Sequence, residues 1–328
     1  MKTKNEFVEA INSLPSSTAK LLDGAPEAIK KKAKEIRLRA GRKVLIVTGL
    51  SDFFLNHVMT HTEMFECFRA LCGYSVHSHT EEIRQGYITI KGGHRAGLCG
   101  SAVYNGNRIV NIKNISSINL RIAREIPHAA DPLINALEGN IGKLLIVGSP
   151  ASGKTTLLKD LIAQTTGKQV TVIDSRGEIA ACLGGIPQNH IGNADVFDGW
   201  NKTDGILTAI RTMAPDIIFC DEIGDEQDAH AIEASMNAGV ELVATAHAGS
   251  IQELCTRKSI MKTIDLGAFD RVVLLKGKEN PCEIDSIHKA GDLYAYRRNT
   301  PNYLMSYSDR FHTLDKFNTG KTRNSFND

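Results

Sequence analysis

The sequence predicts an α/β protein in which a mostly parallel sheet follows a smaller α+β unit. Short apolar runs at 144–147, 170–174, 217–221, 240–245 and 271–275 are separated by helical patterns. Strands that are apolar along their whole length, with helices between them, belong to a sheet covered on both faces. Upstream, between residues 28 and 130, the pattern mixes helices and strands and includes hairpins at 35–47 and 97–112. A chain of 328 residues also fits about two domains.

In the first unit, Pro26 opens a short basic helix. Residues 35–39 alternate, Gly41 turns the chain and 44–47 return. Thr62 is placed to cap a helix whose apolar face carries Phe65, Phe68 and Leu71 and which ends near Gly73. A second short helix, 81–85, stops at Gly86 and leads into a strand at 87–90. A hairpin then pairs 97–104 with 108–112 through Asn105-Gly106, residues that tolerate the positive φ of a tight turn. One more strand is expected at 117–123. Pro127 and Pro132 bracket the connection to the second unit. The expected division is an N-terminal α+β domain at 1–126, a parallel-sheet domain at 127–290 and a polar tail at 291–328. A short strand pair near 282–287 should close the second domain, and the tail should be poorly ordered.

Composition excludes several classes. Thirty-nine Lys and Arg oppose 37 Asp and Glu, a net charge of +2 that demands no polyanionic partner. Seven cysteines without a CxxC pair indicate neither a disulfide framework nor a zinc ribbon, so buried reduced thiols are expected. No apolar stretch approaches the roughly 20 residues of a membrane span. The start MKTKNEFVEA lacks the apolar core of a secretory signal. A cytoplasmic protein is expected, and docking on a membrane surface remains compatible with it. Between Lys30 and Lys43 eight basic residues face one Glu, with no aromatic residues interleaved. This reads as a solvated surface rather than a base-stacking one. His77-x-His79 has no third ligand nearby.

The chemistry lies in Gly148, Ser149, Pro150, Ala151, Ser152, Gly153, Lys154 and Thr155, with Thr156 next. Every required position of G-x-x-x-x-G-K-[ST] is filled, after a strand and before a helix. Glycines let backbone N–H groups wrap a phosphate, and the helix N-terminus adds positive charge. Lys154 is placed to bridge the β- and γ-phosphates of ATP, and Thr155 to ligate Mg2+. The strand 217–221 ends in Asp221 and Glu222. Asp221 is expected to hold magnesium through water and Glu222 to act as general base on the attacking water. His247 follows another core strand between these two elements and is expected to sense the γ-phosphate. The loop Asp174-Ser175-Arg176-Gly177-Glu178 is expected to follow a strand beside the P-loop. In it, Glu178 or Asp174 orients water or magnesium and Arg176 reaches a neighbour. Arg84, Arg95, Arg121 and Arg124 are candidates for a cation acting in trans.

Taken together, the segments GSPASGKTTLLKDL, RTMAPDIIFCDEIGDEQDA and MNAGVELVATAHAGS resemble the secretion ATPases of type II and type IV systems. EEIRQGYITIKGGHRAGLCG, ISSINLRIAREIPHAADPL and IDSRGEIAACLGGIPQ resemble more closely the stage III sporulation protein AA family. The similarity runs from about Glu35 to Ile287. It implies a RecA-like P-loop ATPase domain, hexameric rings and a motor in the mother cell. That motor would sit peripherally at the membrane facing the forespore, recruited by membrane proteins of the stage III channel complex. Lys154, Thr155, Asp221, Glu222 and His247 fall on the family's motif positions. One departure is Ser175, where the family usually has glutamate, which leaves Glu178 as the surviving acid of that loop. A nucleotide-gated scaffold with little hydrolysis and a RecA-like nucleic-acid translocase are the competing readings. With one Trp and 6% aromatics, a nucleic-acid partner is not expected.

Overall fold

The computed structural model describes residues 5–49, 51–293 and 296; the expected tail lies almost wholly outside these residues. Two sheets organise the described chain. The N-terminal part opens with α1 (Glu6–Ile11), α2 (Ser16–Asp23) and α3 (Glu27–Lys32), followed by β1 (Glu35–Arg39), β2 (Lys43–Val47) and β3 (Asp52–Val58). Then come α4 (His61–Leu71), α5 (Thr80–Arg84), β4 (Tyr87–Ile90), β5 (His94–Asn105) and β6 (Arg108–Arg121). Its strands are antiparallel throughout, in the order β3-β2-β1-β6-β5-β4. Alternate residues such as Ile36, Leu38, Ile46, Ala96 and Leu120 point to one face, where Phe7, Leu22 and Met64 cover them.

The second part runs α6 (Asp131–Ala136), β7 (Leu144–Gly148), α7 (Lys154–Gln164), β8 (Val170–Asp174), β9 (Asp195–Asp198) and α8 (Lys202–Thr212). It continues with β10 (Ile217–Glu222), α9 (Glu226–Asn237), β11 (Glu241–His247), α10 (Ile251–Thr256) and α11 (Lys258–Asp265). It ends on β12 (Arg271–Leu275) and β13 (Ile284–Lys289). The order is β13-β12-β7-β11-β10-β8-β9, parallel except for β13. Leu145, Ile218, Leu242 and Val272 pack on one face against residues such as Ile206, Ile232 and Ile264. Ile146, Phe219, Val243 and Val273 pack on the other against Leu157, Leu158 and Leu161. Helices therefore cover both faces, which is why these strands are apolar along their length.

Several local expectations change. The cap of α4 is Thr60, not Thr62. Its hydroxyl accepts from Glu63 N at 3.1 Å, and the Glu63 carboxylate accepts from Thr60 N at 2.8 Å, a reciprocal capping box. The buried stripe is Met64, Cys67, Phe68 and Leu71, while Phe65 is 56% exposed because it falls one step off that 3–4 spacing. The segments expected at 97–104, 108–112 and 117–123 belong to just two long strands, bulged between Cys99 and Ser101 and between Val103 and Tyr104. Gly100 makes the first bulge possible, since a Cβ there would meet Lys113 O at 2.6 Å. The strand β8 is not beside the P-loop strand, because β11 and β10 lie between. His77 and His79 lie in a 3-10 turn rather than a strand, with His79 bonded to Glu82. The cysteines are free thiols, and Cys67, Cys72, Cys220 and Cys255 are buried.

Thr60→Ala is expected to lower unfolding stability by about 1 kcal/mol, with Thr62→Ala close to neutral. Urea denaturation of both variants checks this, and the reverse order would overturn the capping assignment.

Candidate functional site

The parallel strands β7, β11 and β10 end side by side, and their C-terminal loops form the floor of a cleft of about 650 Å³. Register fixes the arrangement: His247 pairs with Gly148 and Glu222 with Thr245. Polar residues at these strand ends therefore meet at the first turn of α7.

The loop from Gly148 to Gly153 closes tightly before α7. Gly153 has φ +91°, a region that favours glycine, and a Cβ there would meet Cys282 N at 2.6 Å. Cys282 clamps the loop from the β12–β13 connection. Its N–H donates to Ser152 O at 2.8 Å, and its thiol lies 3.6 Å from Gly153 O. Pro150, Ala151, Ser152, Gly153, Thr155 and Thr156 line the cleft.

Lys154 is the first residue of α7 and is buried. Its amine donates to Gly148 O at 2.8 Å and Ser149 O at 2.9 Å, and reaches His247 Nδ1 at 3.1 Å. Burial holds its pKa below the usual lysine value, and the Glu222 carboxylate pulls it back up. A charged lysine only donates, so Nδ1 of His247 accepts and Nε2 carries the proton. Nε2 lies 3.2 Å from Glu222 Oε2. Arg176 Nη1 contacts the same oxygen at 3.3 Å. Lys154, His247, Glu222 and Arg176 thus form one connected line.

Asp221 is 8% exposed. Burial pushes its pKa up to about 6, with Lys202 pulling the other way. Neither carboxylate oxygen accepts a hydrogen bond from a described residue. Lys202 Nζ stands 3.6 Å from Oδ1 and donates to Glu222 O. Lys202 carried no signal in the sequence: it opens α8 after an ordinary Asn201 cap, and only the packing of α8 beside β10 brings it here.

The loop after β8 differs from expectation. Asp174 is fully buried, and its carboxylate accepts from the N–H groups of Glu178, Ile179 and Ala180 at 2.9, 3.1 and 2.8 Å. It shapes the loop and does not line the cleft. Glu178 lines the cleft and pairs with Arg95 at 3.3 Å. Within the chain, Arg176 contacts Glu222. Arg95 stacks over Tyr87 at 3.6 Å and donates to Arg176 O at 2.7 Å. Arg121 also lines the cleft. Arg84 and Arg124 are held elsewhere, on Ile109 O and on Ala33 O.

The profile of the family described as sporulation stage III, protein AA matches residues 3–292. The chain belongs to this family. It is 35% identical over 293 residues to stage III sporulation protein AA of Bacillus subtilis (strain 168), covering 87% of this chain and 94% of that protein. A plant relative, protein SEEDLING PLASTID DEVELOPMENT 1 of Arabidopsis thaliana, is 32% identical over 178 residues, covering 51% of this chain and 25% of its own. Among solved structures, the Yersinia pseudotuberculosis ATPase DotB superposes with a TM-score of 0.55 at 15% identity, over 93% of this chain and 86% of that one. The pilus retraction motor PilT with bound ADP gives 0.55 at 16%, over 89% of each chain. At such identities the likeness is one of fold. This member of the stage III sporulation protein AA family therefore has the RecA-like fold of secretion ATPases, as the sequence resemblance implied.

Asp221→Asn should remove a buried charge that accepts no hydrogen bond. Scanning calorimetry without nucleotide is expected to show a higher Tm for the variant at pH 7.5. A lower Tm would mean that pairing with Lys202 outweighs burial.

Proposed function

We propose that the chain is a magnesium-dependent ATPase, the motor of a sporulation secretion-type channel complex running from mother cell to forespore. The observation that carries this reading is the connected line from Lys154 through His247 to Glu222 at the mouth of the P-loop. In an unrelated glycine turn, nothing would require a lysine at the helix start to meet a histidine and a carboxylate from the ends of two neighbouring strands.

The residues present fit both ATP and Mg2+. Gly148 through Thr156, Pro150 excepted, offer backbone N–H groups and a helix N-terminus to the phosphates. Asp221 has two oxygens that accept no hydrogen bond from a described residue, and Thr155 has its hydroxyl in the same cleft. Together they suit a hard dication that takes oxygen ligands. When bound, that ion neutralises charge on the β- and γ-phosphate oxygens. Lys154 leaves the carbonyls of Gly148 and Ser149 to grip the phosphates, which releases Nδ1 of His247. His247 then senses the γ-phosphate while its Nε2 stays beside Glu222. Glu222 takes the proton of the attacking water. Glu178, on the opposite wall, helps orient that water once Arg95 releases it, and Arg95 and Arg121 supply positive charge.

The family relationship supports work as a homo-oligomer, taken as a hexamer, held peripherally on the mother-cell face of the membrane by proteins of the stage III channel complex. Magnesium-dependent ATP hydrolysis measured against protein concentration tests the reading. Wild type should show turnover rising faster than linearly. Lys154→Ala should lose nucleotide binding. Glu222→Gln should keep it while turnover falls about 100-fold or more. Undiminished turnover in Glu222→Gln would overturn the assignment, and turnover stimulated by DNA would favour a translocase.

A further inference from the structure

The P-loop cleft continues along α7 into a second cavity of about 270 Å³. Thr156, Lys159 and Asn189 line both cavities and so mark the passage between them. Beyond the passage, Ile126, Pro127 and Ala163 give the second cavity apolar walls. Thr156 and Lys159 stand three residues apart on α7, hence side by side on one face. A ligand whose phosphates lie on the P-loop as far as Thr156 therefore meets Lys159 next.

The polar groups at the passage are held in place but not used up. Asn189 is 7% exposed. Its amide nitrogen donates to Ile179 O at 2.6 Å, and its backbone N–H donates to Ala180 O at 3.1 Å. The side chain is thereby fixed, and Oδ1 accepts no hydrogen bond from a described residue. Gly93 approaches this oxygen so closely that a Cβ there would meet it at 2.8 Å. With no side chain at that point, Oδ1 stays open to the cleft that both residues line. Lys159 is half-buried and makes no hydrogen bond or ion pair with a described residue. Burial holds its pKa below the usual lysine value, and the carboxylates of Glu125, Asp174 and Glu178 pull it back up. A bare acceptor oxygen repels a phosphate, so this passage is a poor place for one. A donor and a fixed acceptor lining one passage instead match hydroxyl groups, each of which both donates and accepts.

We infer that Lys159 and Asn189 form a sugar subsite that reads the vicinal hydroxyls of a ribose, so that the cleft selects ribonucleotides over deoxyribonucleotides. Asn189 Oδ1 accepts from one hydroxyl, and the Lys159 amine donates to the diol. The inference rests on the reading of the P-loop as a nucleotide site. Phosphate contacts alone give no such choice, because the phosphates of the two nucleotide classes are the same. A deoxyribose leaves Asn189 Oδ1 covered and unpaired, which costs binding energy that the ribose does not lose.

Isothermal titration calorimetry of the full chain with ADP, 2′-deoxy-ADP and 3′-deoxy-ADP in the presence of magnesium tests this without turnover. Wild type is expected to bind ADP about tenfold more tightly than the analogue lacking the hydroxyl that meets Asn189. That ratio should fall to near one in Asn189→Ala. Because Asn189→Ala also loses the bond to Ile179 O, a second variant is needed. Lys159→Met costs no hydrogen bond or ion pair among the described residues and should lower the ratio several-fold. Equal affinity for all three nucleotides in wild type, or an unchanged ratio in Lys159→Met, would overturn the subsite. If ADP binds with the expected preference but ATP is not cleaved, the hydrolysis reading fails and the subsite stands. If ADP does not bind at all, the nucleotide reading itself fails and the subsite with it.

Discussion

Everything at the cleft depends on the adjacency of β7, β11 and β10. Parallel strands in register deliver their C-terminal residues to one edge, and here the pairing of His247 with Gly148 and of Glu222 with Thr245 sets which residues meet. A shift of one residue in β11 would send His247 to the opposite face of the sheet. The core prevents that shift: Leu242 and Ala244 belong to one apolar layer and Val243 to the other, all fully buried or nearly so. The same alternation that buries the strand therefore aims its last side chain. The geometry of this cleft is a by-product of hydrophobic register.

Three acidic residues at the strand ends show how environment divides roles among like side chains. Asp174 accepts three backbone N–H bonds and serves as a structural cap for its loop. Asp221, a strand away, is equally enclosed but accepts none, so its charge is costly and its pKa rises to about 6. Such a carboxylate is suited to a metal ion, which would supply the missing stabilisation. Glu222 is half-exposed and shared by a histidine and an arginine, accessible enough to meet water.

The parallel sheet and the P-loop were legible in the sequence because each is encoded locally. The strands announce themselves as uninterrupted apolar runs, and the loop conformation requires glycine at Gly153 whatever surrounds it. His247 was legible from the same rhythm, as the first polar side chain after a core strand. The unforeseen strands, β3 and β9, lie at sheet edges. Half-exposed strands carry mixed residues, and DVFD at β9 is too short for a pattern to emerge. Bulges were invisible for a different reason: the alternation of β5 and β6 breaks where a residue is inserted, and a break reads as an end. Lys202 could not be found at all, since its role arises from the docking of α8 against β10, a contact between separate stretches of chain. The cap at Thr60 rather than Thr62 shows the opposite failure, in which two equivalent local signals compete and the burial of Met64 and Cys67 decides.

One side chain of the small sheet, Arg95, ties directly into the loop beside Glu222. Arg95 stands on β5, stacked on Tyr87 of β4, and ties itself to Glu178 and to the carbonyl of Arg176. Arg176 in turn touches Glu222. Any movement of β5 relative to the parallel sheet must therefore stretch the loop after β8 and disturb the partners of Glu222. The reverse also holds. An anion entering beside Lys154 competes for the guanidinium groups of Arg95 and Arg176, and loosening either shifts the loop that Asp174 holds rigid. Because Asp174 fixes that loop by three bonds, the loop transmits displacement instead of absorbing it. A braced loop between the cleft and the separate sheet thus couples the position of Arg95 to the partners of Glu222.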